Sequence, residues 1–154
     1  MPTNLYGPND NFDLNTSHVL PAMINKFHIA KKDNTKVILW GSGSPRREFL
    51  HVDDLGKAVL FAIENNLDQH IYNVGSGSDI TIRSLAKLIQ KIVGHKGEIY
   101  WDVSKPDGTP KKLIDSSKFL EKGWRPTTDL KIGIEKTYKW YLDNIDSLKK
   151  LKYK

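Results

Sequence analysis

The sequence contains no cysteine, and this absence excludes several kinds of site at once. Without thiols there is no disulfide framework, no cysteine nucleophile and no sulfur-ligated metal. The sequence also has no run of about 18 apolar residues, and its first residues lack a basic stretch followed by an apolar one. We therefore expect neither a membrane span nor a secretory signal, and we expect a soluble protein of the cytoplasm.

What the sequence does contain is typical of one globular region. Of its 154 residues, 38% are hydrophobic and 10% are aromatic, which is enough for a single core. No internal repeat interrupts it. We expect residues 1–154 to form one compact region that ends in a basic tail at 146–154.

The formal net charge of +6 is unevenly distributed. Residues 1–102 contain 11 Lys and Arg against 11 Asp and Glu, whereas residues 103–154 contain 13 against 7. This excess indicates either attraction to an anion, such as nucleic acid or a nucleotide diphosphate, or a solvated basic helix and tail ending in SLKKLKYK.

Hydrophobic spacing and turn formers predict an α/β fold with few, short strands. The chain opens on MPTNLYGPNDN, which is typical of a buried strand that enters a turn. Further strands are predicted at 36–40, 47–52, 71–74 and 98–102. Helices are predicted from Ser17 or His18 to about Lys32, from Asp53, from Thr81 to Gly94, over 115–122, and from Asp129. No series of four or five βαβ units is present, so a complete doubly wound sheet cannot be built from this chain alone.

Two of these helices have apolar residues at helical spacing, and those residues are expected to face the core. In the helix that Asp53 would cap, the expected buried positions are Leu55, Ala58, Val59, Ala62 and Ile63. In the last helix they are Leu130, Ile134, Tyr138, Tyr141, Leu142 and Ile145.

Two glycine-rich stretches are similar to phosphate-binding turns but do not match them. GSGSPR (41–46) has Arg46 where the third glycine of a dinucleotide fingerprint belongs, and a strand follows it. GSGSDI (75–80) lies between a strand and a helix, but Ile80 occupies that position. Neither fits a P-loop, and no G-x-S-x-G nucleophile elbow is present, so we expect both stretches to be turns.

The stretch HVDD (51–54) could suggest a metal site, because His51 and Asp53 would share one face of a strand. Two ligand types at one place are too few, and Asp53 is expected to cap a helix. We therefore predict no metal site.

Several other residues could bind an anion, stack on a base or move a proton. Trp40 could stack on a nucleobase or fill the core. His18, at a predicted helix start, could transfer protons near neutral pH, cap the helix or lie on the surface. Four basic residues could bind an anion, although each could equally be a surface charge: Arg46, Arg47, Lys111 and Lys112.

Five stretches together resemble one enzyme family. They are PTNLYGPNDNFD, SHVLPAM, WGSGSPRREFLHVDDL, YNVGSGSDITI and KPDGTPKKLID, in the order and spacing of the GDP-L-fucose synthases. That family is an NADPH-dependent branch of the extended short-chain dehydrogenase/reductase superfamily. The resemblance covers about residues 1–145 and only the C-terminal half of the family's protein. It implies that this chain is the C-terminal substrate-binding portion of such an enzyme, with the Rossmann core largely missing.

The resemblance also implies roles for individual residues. The PTNL segment would lie beside the nicotinamide of NADP(H), with contacts from Pro2, Thr3, Asn4 and Leu5. His18 would border the cofactor too, and it would be the general acid that protonates a carbanion during epimerisation. Five residues would bind the GDP-sugar: Lys26, Trp40, Arg47, Asp107 and Lys112.

The family converts GDP-4-keto-6-deoxy-mannose to GDP-L-fucose with NADPH, but much of its apparatus belongs to the half that this sequence lacks. The missing parts are the glycine-rich NADP-binding turn, the Ser-Tyr-x-x-x-Lys apparatus, the cysteine base and the dimer helices. We therefore expect the chain alone to be inactive and not to hold NADP(H) stably.

Two hypotheses follow for the chain as a whole. It is the substrate-binding half of a synthase, or it is a nucleotide-sugar-binding module or split subunit that a separate N-terminal half completes. Its expected partners are a GDP-sugar and either that half or a homodimer partner. We expect binding to neither nucleic acid nor a membrane, although the basic C-terminal third leaves nucleic acid as a third hypothesis.

Overall fold

The computed structural model describes residues 1–67 and 71–150, and within them it contains five helices and six strands. The strands are β1 (Asn4–Tyr6), β2 (Val37–Trp40), β3 (Arg46–His51), β4 (Asp79–Thr81), β5 (Ile99–Asp102) and β6 (Lys111–Lys112). The helices are α1 (Val19–Asp33), α2 (Val52–Glu64), α3 (Ile82–Val93), α4 (Ser117–Glu121) and α5 (Leu130–Lys150). None of these helices is long and apolar enough to cross a membrane. The predicted basic tail begins within α5, and its residues 151–154 lie outside the described residues.

Strand β3 is the centre of the larger sheet. It pairs in parallel with β1 and antiparallel with β4, where Arg46 lies opposite Thr81. The short β6 joins the beginning of β3 in parallel, which places Lys112 opposite Arg47. Strands β2 and β5 form a separate parallel pair. The predicted α/β class is confirmed, and in the described residues the sheets are too small for a complete doubly wound fold.

The predicted start of α3 is confirmed, and that of α2 is wrong. Thr81 precedes α3, and its hydroxyl accepts a hydrogen bond from the N–H of Ser84 at 3.0 Å. Asp53 instead lies in the first turn of α2. The cap is His51, whose Nδ1 accepts a hydrogen bond from the Asp53 N–H at 3.2 Å, because β3 runs into α2 without a connecting loop.

The strand predicted at 71–74 is wrong for most of its length. Only Val74 pairs there, as an isolated bridge with Pro2. The chain forms β4 at 79–81 instead, and three residues are too few for an alternating pattern to show in the sequence.

Two hydrophobic clusters form the interior of the described residues. The larger lies among α1, α3 and α5, and its fully buried members include Ile24, Phe27, Leu85, Ile89 and Ile134. The smaller lies beneath α2 and contains Leu50, Ala58, Val74, Phe119 and Trp124. Together they hold the helices against the strands that carry the candidate site.

The stripe predicted for α5 is confirmed at its centre. Ile134, Tyr138 and Tyr141 are buried at helical spacing. The prediction is wrong for Leu142, which is 42% exposed. Each successive residue of an α-helix is rotated by about 100° around the helix axis, so Leu142 lies at the edge of the stripe that contains Tyr141.

Asp54 joins the start of α2 to the segment that precedes α5. Its buried carboxylate accepts hydrogen bonds from the N–H groups of Thr127 and Thr128 at 3.2 and 2.8 Å, and from the Thr127 hydroxyl at 2.8 Å. Burial alone would raise the pKa of Asp54, but these hydrogen bonds outweigh it and hold the pKa below its ordinary value.

An Asp54→Asn variant is expected to lose on the order of 2 kcal/mol of unfolding free energy near neutral pH, because neutral hydrogen bonds replace charged ones. Since the folded pKa lies below the ordinary 3.8, the carboxylate stabilises the protein above that pH, and the contribution fades as the pH falls below it. Urea unfolding near neutral pH and at about pH 3 should therefore show the gap between parent and variant shrinking in acid. An equal gap at both pH values would contradict this account.

Candidate functional site

Trp40 ends β2 with its ring in solvent, so it does not fill the core. Val37 and Leu39 of the same strand point inward. Because side chains alternate along a strand, Trp40 points outward and is 67% exposed. Two ammonium groups flank the ring: Lys26 Nζ lies 6.0 Å and Lys105 Nζ 5.8 Å from its centroid. An exposed indole with two cations close to its ring offers a stacking surface and positive charge together.

Lys26 is held in this position by the backbone of β2. Its Nζ donates a hydrogen bond to the Ile38 carbonyl at 3.1 Å. Partial burial lowers its pKa below the ordinary value for lysine. The residue therefore reaches Trp40 from α1 with its orientation already fixed.

The GSG turn after Trp40 is fastened to the segment that contains Asp107. Asp107 accepts hydrogen bonds from the Ser42 N–H at 2.8 Å and from the Ser42 hydroxyl at 2.6 Å, and these bonds hold the pKa of Asp107 below its ordinary value. Gly41, at φ +76°, has no room for a Cβ, which would collide with the Asp107 carboxylate. Asp107 thus draws the 105–112 segment against the turn, and glycine permits the close approach.

The four anion candidates divide into two pairs. Arg46 forms an ion pair with Asp79 at 2.6 Å, and Lys111 Nζ lies 3.6 Å from the same carboxylate. Arg47 instead donates through Nη1 to the Thr109 carbonyl at 2.6 Å, and Lys112 lies opposite it in register. Among the described carboxylates, none forms an ion pair with Arg47 or Lys112. The second pair is therefore the better placed for an external anion.

Arg47 also lines a cavity of about 430 Å³ on the inner side of β3. The walls come from β3, the 76–80 turn and the residues before α5. Arg47 thus contacts both this cavity and the 105–112 segment. Its guanidinium can donate two parallel hydrogen bonds to phosphate oxygens there.

His18 is the N-cap residue of α1, as predicted, and its side chain is exposed. Its backbone is extended at the cap position, but its side chain makes no capping hydrogen bond. Asp10 is close enough to interact with it: burial raises the pKa of Asp10, while the Asn11 N–H and the His18 charge act in the opposite direction. An exposed imidazole is available for proton transfer with a partner outside these residues.

The Pro2–Leu5 segment is fixed chiefly by β3. The Thr3 hydroxyl and the Asn4 amide both donate to the Glu48 carbonyl, at 3.5 and 2.7 Å. Leu5 packs against the smaller hydrophobic cluster, whereas Pro2 is exposed. The contact of this segment with a nicotinamide remains a prediction.

The role of Glu48 could not be predicted from the sequence. It is completely buried, and its Oε1 accepts hydrogen bonds from the Gly77 N–H at 2.8 Å and the Ser76 hydroxyl at 3.4 Å. Its Oε2 accepts one from the Ile114 N–H at 3.2 Å. A glutamate in REFLHV looks like a surface residue, but this one ties two loops of the site to β3.

Arg83 is a second contributor that sequence reasoning missed. Its guanidinium lies 4.5 Å from the centroid of the Trp101 ring and donates to the Ser42 carbonyl. The backbone N–H of Arg83 donates to the Gly43 carbonyl at 2.8 Å. The N-terminus of α3 therefore holds the GSG turn in place. The only sequence signal for this contact was a basic residue just after the helix cap.

No group of three or more His, Asp or Glu in the described ranges is placed to hold a metal ion. His51 is buried, with its Nδ1 3.5 Å from Asp53 Oδ2. Desolvation lowers the pKa of His51, with neighbouring charges acting in both directions. This histidine is thus a helix cap inside the protein.

Comparison with known proteins places these features in a family. The model of the NAD dependent epimerase/dehydratase family matches residues 1–75. The probable GDP-L-fucose synthase 1 of Oryza sativa subsp. japonica is 57% identical over 97% of this chain and 46% of its own length. Over residues 1–75, which are just under half of its length, the chain is similar to the NAD dependent epimerase/dehydratase family. Within that family it matches the C-terminal half of the GDP-L-fucose synthases, as its motifs predicted.

Two further relatives match the chain over a similar share of their own length. The GDP-L-fucose synthase of Escherichia coli (strain K12) is 48% identical over 95% of this chain and 49% of its own length. The crystal structure of a GDP-L-fucose synthetase from Naegleria fowleri bound to NADP has a TM-score of 0.87 and 30% identity, over 95% of this chain and 46% of that chain. The chain thus spans about half the length of the curated epimerase-family relatives it matches.

Proposed function

We propose that this chain is the GDP-sugar-binding half of a GDP-L-fucose synthase and that turnover requires the other half. The observation that carries the proposal is the 105–112 segment, which is bonded at Asp107 to the turn that follows Trp40 and at Thr109 to Arg47. The exposed indole offers a face to guanine, and the lysines and Arg47 offer charge to a diphosphate. The names of the relatives support the same substrate class.

The proposed substrate is GDP-4-keto-6-deoxy-mannose, whose ketone acidifies the protons on the carbons beside it. A base outside this chain removes such a proton, and His18 returns one from its exposed imidazole to the opposite face of the carbanion. Both epimerised carbons lie next to the ketone, so the ketone acidifies the protons on both.

NADPH, when bound, supplies the hydride that reduces the ketone. The residues present fit one wall of a nicotinamide site, because Pro2 and His18 are exposed while Thr3 and Asn4 are anchored to β3. The relative from Naegleria fowleri was solved with NADP. We expect this chain to position one side of the nicotinamide and to leave the phosphate contacts to the other half.

The test is NADPH consumption, followed by absorbance, with the keto-sugar as substrate. We expect no consumption by the chain alone and restored consumption when the N-terminal half of a GDP-L-fucose synthase is added. A His18→Asn variant should abolish the restored epimerisation. Turnover by the chain alone would overturn the requirement for a second half.

A non-catalytic nucleotide-sugar-binding module is the second candidate. It is favoured by the concentration of binding groups around Trp40 in a chain that spans half of its relatives. The same mixing experiment separates the two functions, because a pure binding module gains no activity from the N-terminal half.

A further inference from the structure

Asp102 lies directly beside Trp40 on the outer face of the two-stranded sheet of β2 and β5. The two residues are partners in the parallel register, and the Gly41 N–H donates to the Asp102 carbonyl at 2.9 Å. Neighbouring strands are about 4.8 Å apart, and partners in register point to the same side of a sheet. Trp101 packs inward against the larger hydrophobic cluster, so the Asp102 side chain points outward with the exposed indole.

A tight turn after β5 brings Lys105 to the same place. The Lys105 N–H donates to the Asp102 carbonyl at 3.2 Å, which closes the turn. The Lys105 ammonium lies 5.8 Å from the centroid of the Trp40 ring, and this lysine is exposed. The end of β5 therefore presents one carboxylate and one ammonium group next to a single stacking surface.

The Asp102 carboxylate is ionised, and the turn uses only one of its oxygens. Oδ1 accepts hydrogen bonds from the Ser104 hydroxyl at 2.6 Å and from the Ser104 N–H at 3.1 Å. The Ser104 hydroxyl is the main cause of the lowered pKa of Asp102. The Ser104 N–H and the charge of Lys105 lower this pKa further, whereas burial opposes them. No hydrogen bond from a described residue ends on Oδ2, so this oxygen is open to a ligand.

The charges of this pair match the hydrogen-bonding edge of guanine. Along one edge, guanine has two adjacent donors, the N1–H and the 2-amino group, followed by the acceptor O6. A carboxylate accepts from the two donors, and an ammonium group donates to O6. Adenine has an amino group in place of O6 and an unprotonated N1, which would turn an acceptor toward the carboxylate. Hypoxanthine keeps O6 and the N1–H but lacks the 2-amino donor.

We propose that Asp102 and Lys105 read the edge of a base stacked on Trp40 and so make the site select guanine over other purines. This assignment rests on the proposed function, to which it adds the residues that determine base specificity. Neither residue is among the five that the family resemblance assigned to the GDP-sugar. Trp40 alone cannot discriminate, because every base has a flat face that stacks on an aromatic ring. Specificity comes instead from polar groups that the wrong base leaves without a partner.

Isothermal titration calorimetry of the chain with GDP, IDP and ADP tests the role of Asp102. The parent chain should bind IDP about tenfold more weakly than GDP, because hypoxanthine lacks the 2-amino group, and ADP more weakly still. In an Asp102→Asn variant, GDP affinity should fall about 5- to 10-fold and come within about twofold of IDP affinity. Asparagine keeps the size of the side chain, and circular dichroism should show that the variant remains folded.

Asp115→Asn is the matched control. Asp115 accepts a hydrogen bond from the Ser117 N–H at 3.0 Å, just as Asp102 accepts one from Ser104, and its pKa is lowered in the same way. It lies before α4, where its carbonyl accepts from the Asn73 amide, and is not part of the sheet of β2 and β5. This variant loses the same charge but should keep the preference for GDP over IDP. An equal loss of preference in both variants would show that net charge accounts for the effect and would overturn the proposal.

A Lys105→Met variant tests the other half of the pair. GDP and IDP share O6, whereas ADP lacks it. The variant should therefore narrow the gap between GDP and ADP about fivefold and leave the ratio of GDP to IDP affinity within about twofold of the parent value. If Lys105 contacted phosphate instead, GDP and ADP would weaken together and their gap would stay the same. That result would contradict the role assigned to Lys105.

The same titrations distinguish base selection from the proposed function. A preference for GDP that Asp102→Asn removes and Asp115→Asn keeps supports base selection by Asp102. Equal affinity of the parent for GDP, IDP and ADP would overturn base selection and leave nucleotide binding at this site standing. Binding of none of the three at millimolar concentration would overturn both.

Discussion

Replacing Arg47 with alanine is expected to weaken GDP binding about 10- to 100-fold, the largest loss of affinity for any single residue of the site. Arg47 is not ion-paired with a described carboxylate, and it is fixed by the Thr109 carbonyl. Its guanidinium can therefore donate to phosphate oxygens with little reorganisation. The truncation also removes a tie to the 105–112 segment. Isothermal titration calorimetry with GDP measures the change.

Arg46→Ala is the matched control, because the two arginines are adjacent and carry the same charge. Arg46 already forms an ion pair with Asp79, so its loss should change GDP affinity less than about threefold. Equal losses in the two variants would show that net charge, and not the position of Arg47, accounts for the effect.

Replacing Glu48 with leucine is expected to cost about 3–6 kcal/mol of unfolding free energy, the largest loss of stability from a single substitution considered for this protein. The change leaves the Gly77 and Ile114 N–H groups and the Ser76 hydroxyl without the acceptor they share. Each unsatisfied buried donor costs about 1–3 kcal/mol. Urea unfolding followed by tryptophan fluorescence measures the loss.

Glu48→Gln tests whether the acceptor geometry or the mere volume matters. Glutamine keeps the size of the side chain and one carbonyl oxygen, so it should cost clearly less than leucine. If leucine cost under about 1 kcal/mol, the hydrogen bonds of Glu48 would not hold the two loops as described.

The helices of this fold were largely predictable because their signals are local. The Thr81 cap and the apolar spacing of α3 both lie within about three turns of sequence. The same local signal failed for α2, where Val59 and Ile63 keep helical spacing but are exposed. Periodicity shows which residues share a face, but it cannot show which part of the protein covers that face.

The residues of the binding face were predictable only through the family resemblance. The residues that hold them in place, such as Glu48, were not predictable from the sequence. Family motifs selected Trp40 and Arg47, and the 105–112 segment connects their strands, because Asp107 accepts a hydrogen bond from the N–H of Ser42 and the Thr109 carbonyl accepts one from Arg47. The partners of Glu48, in contrast, lie 29 and 66 residues away in sequence. Contacts over such separations depend on how the strands are paired, which composition and spacing do not specify.

The residues around Trp40 and Arg47 are expected to bind a guanine nucleotide diphosphate without the other half of the enzyme. The most direct measurement is calorimetric titration of the chain with GDP, alongside a Trp40→Ala variant. We expect saturable binding with a Kd below about 1 mM, weakened at least about tenfold by the substitution because the base loses its stacking surface. Absence of saturable binding at millimolar GDP, or equal affinity of parent and variant, would contradict it.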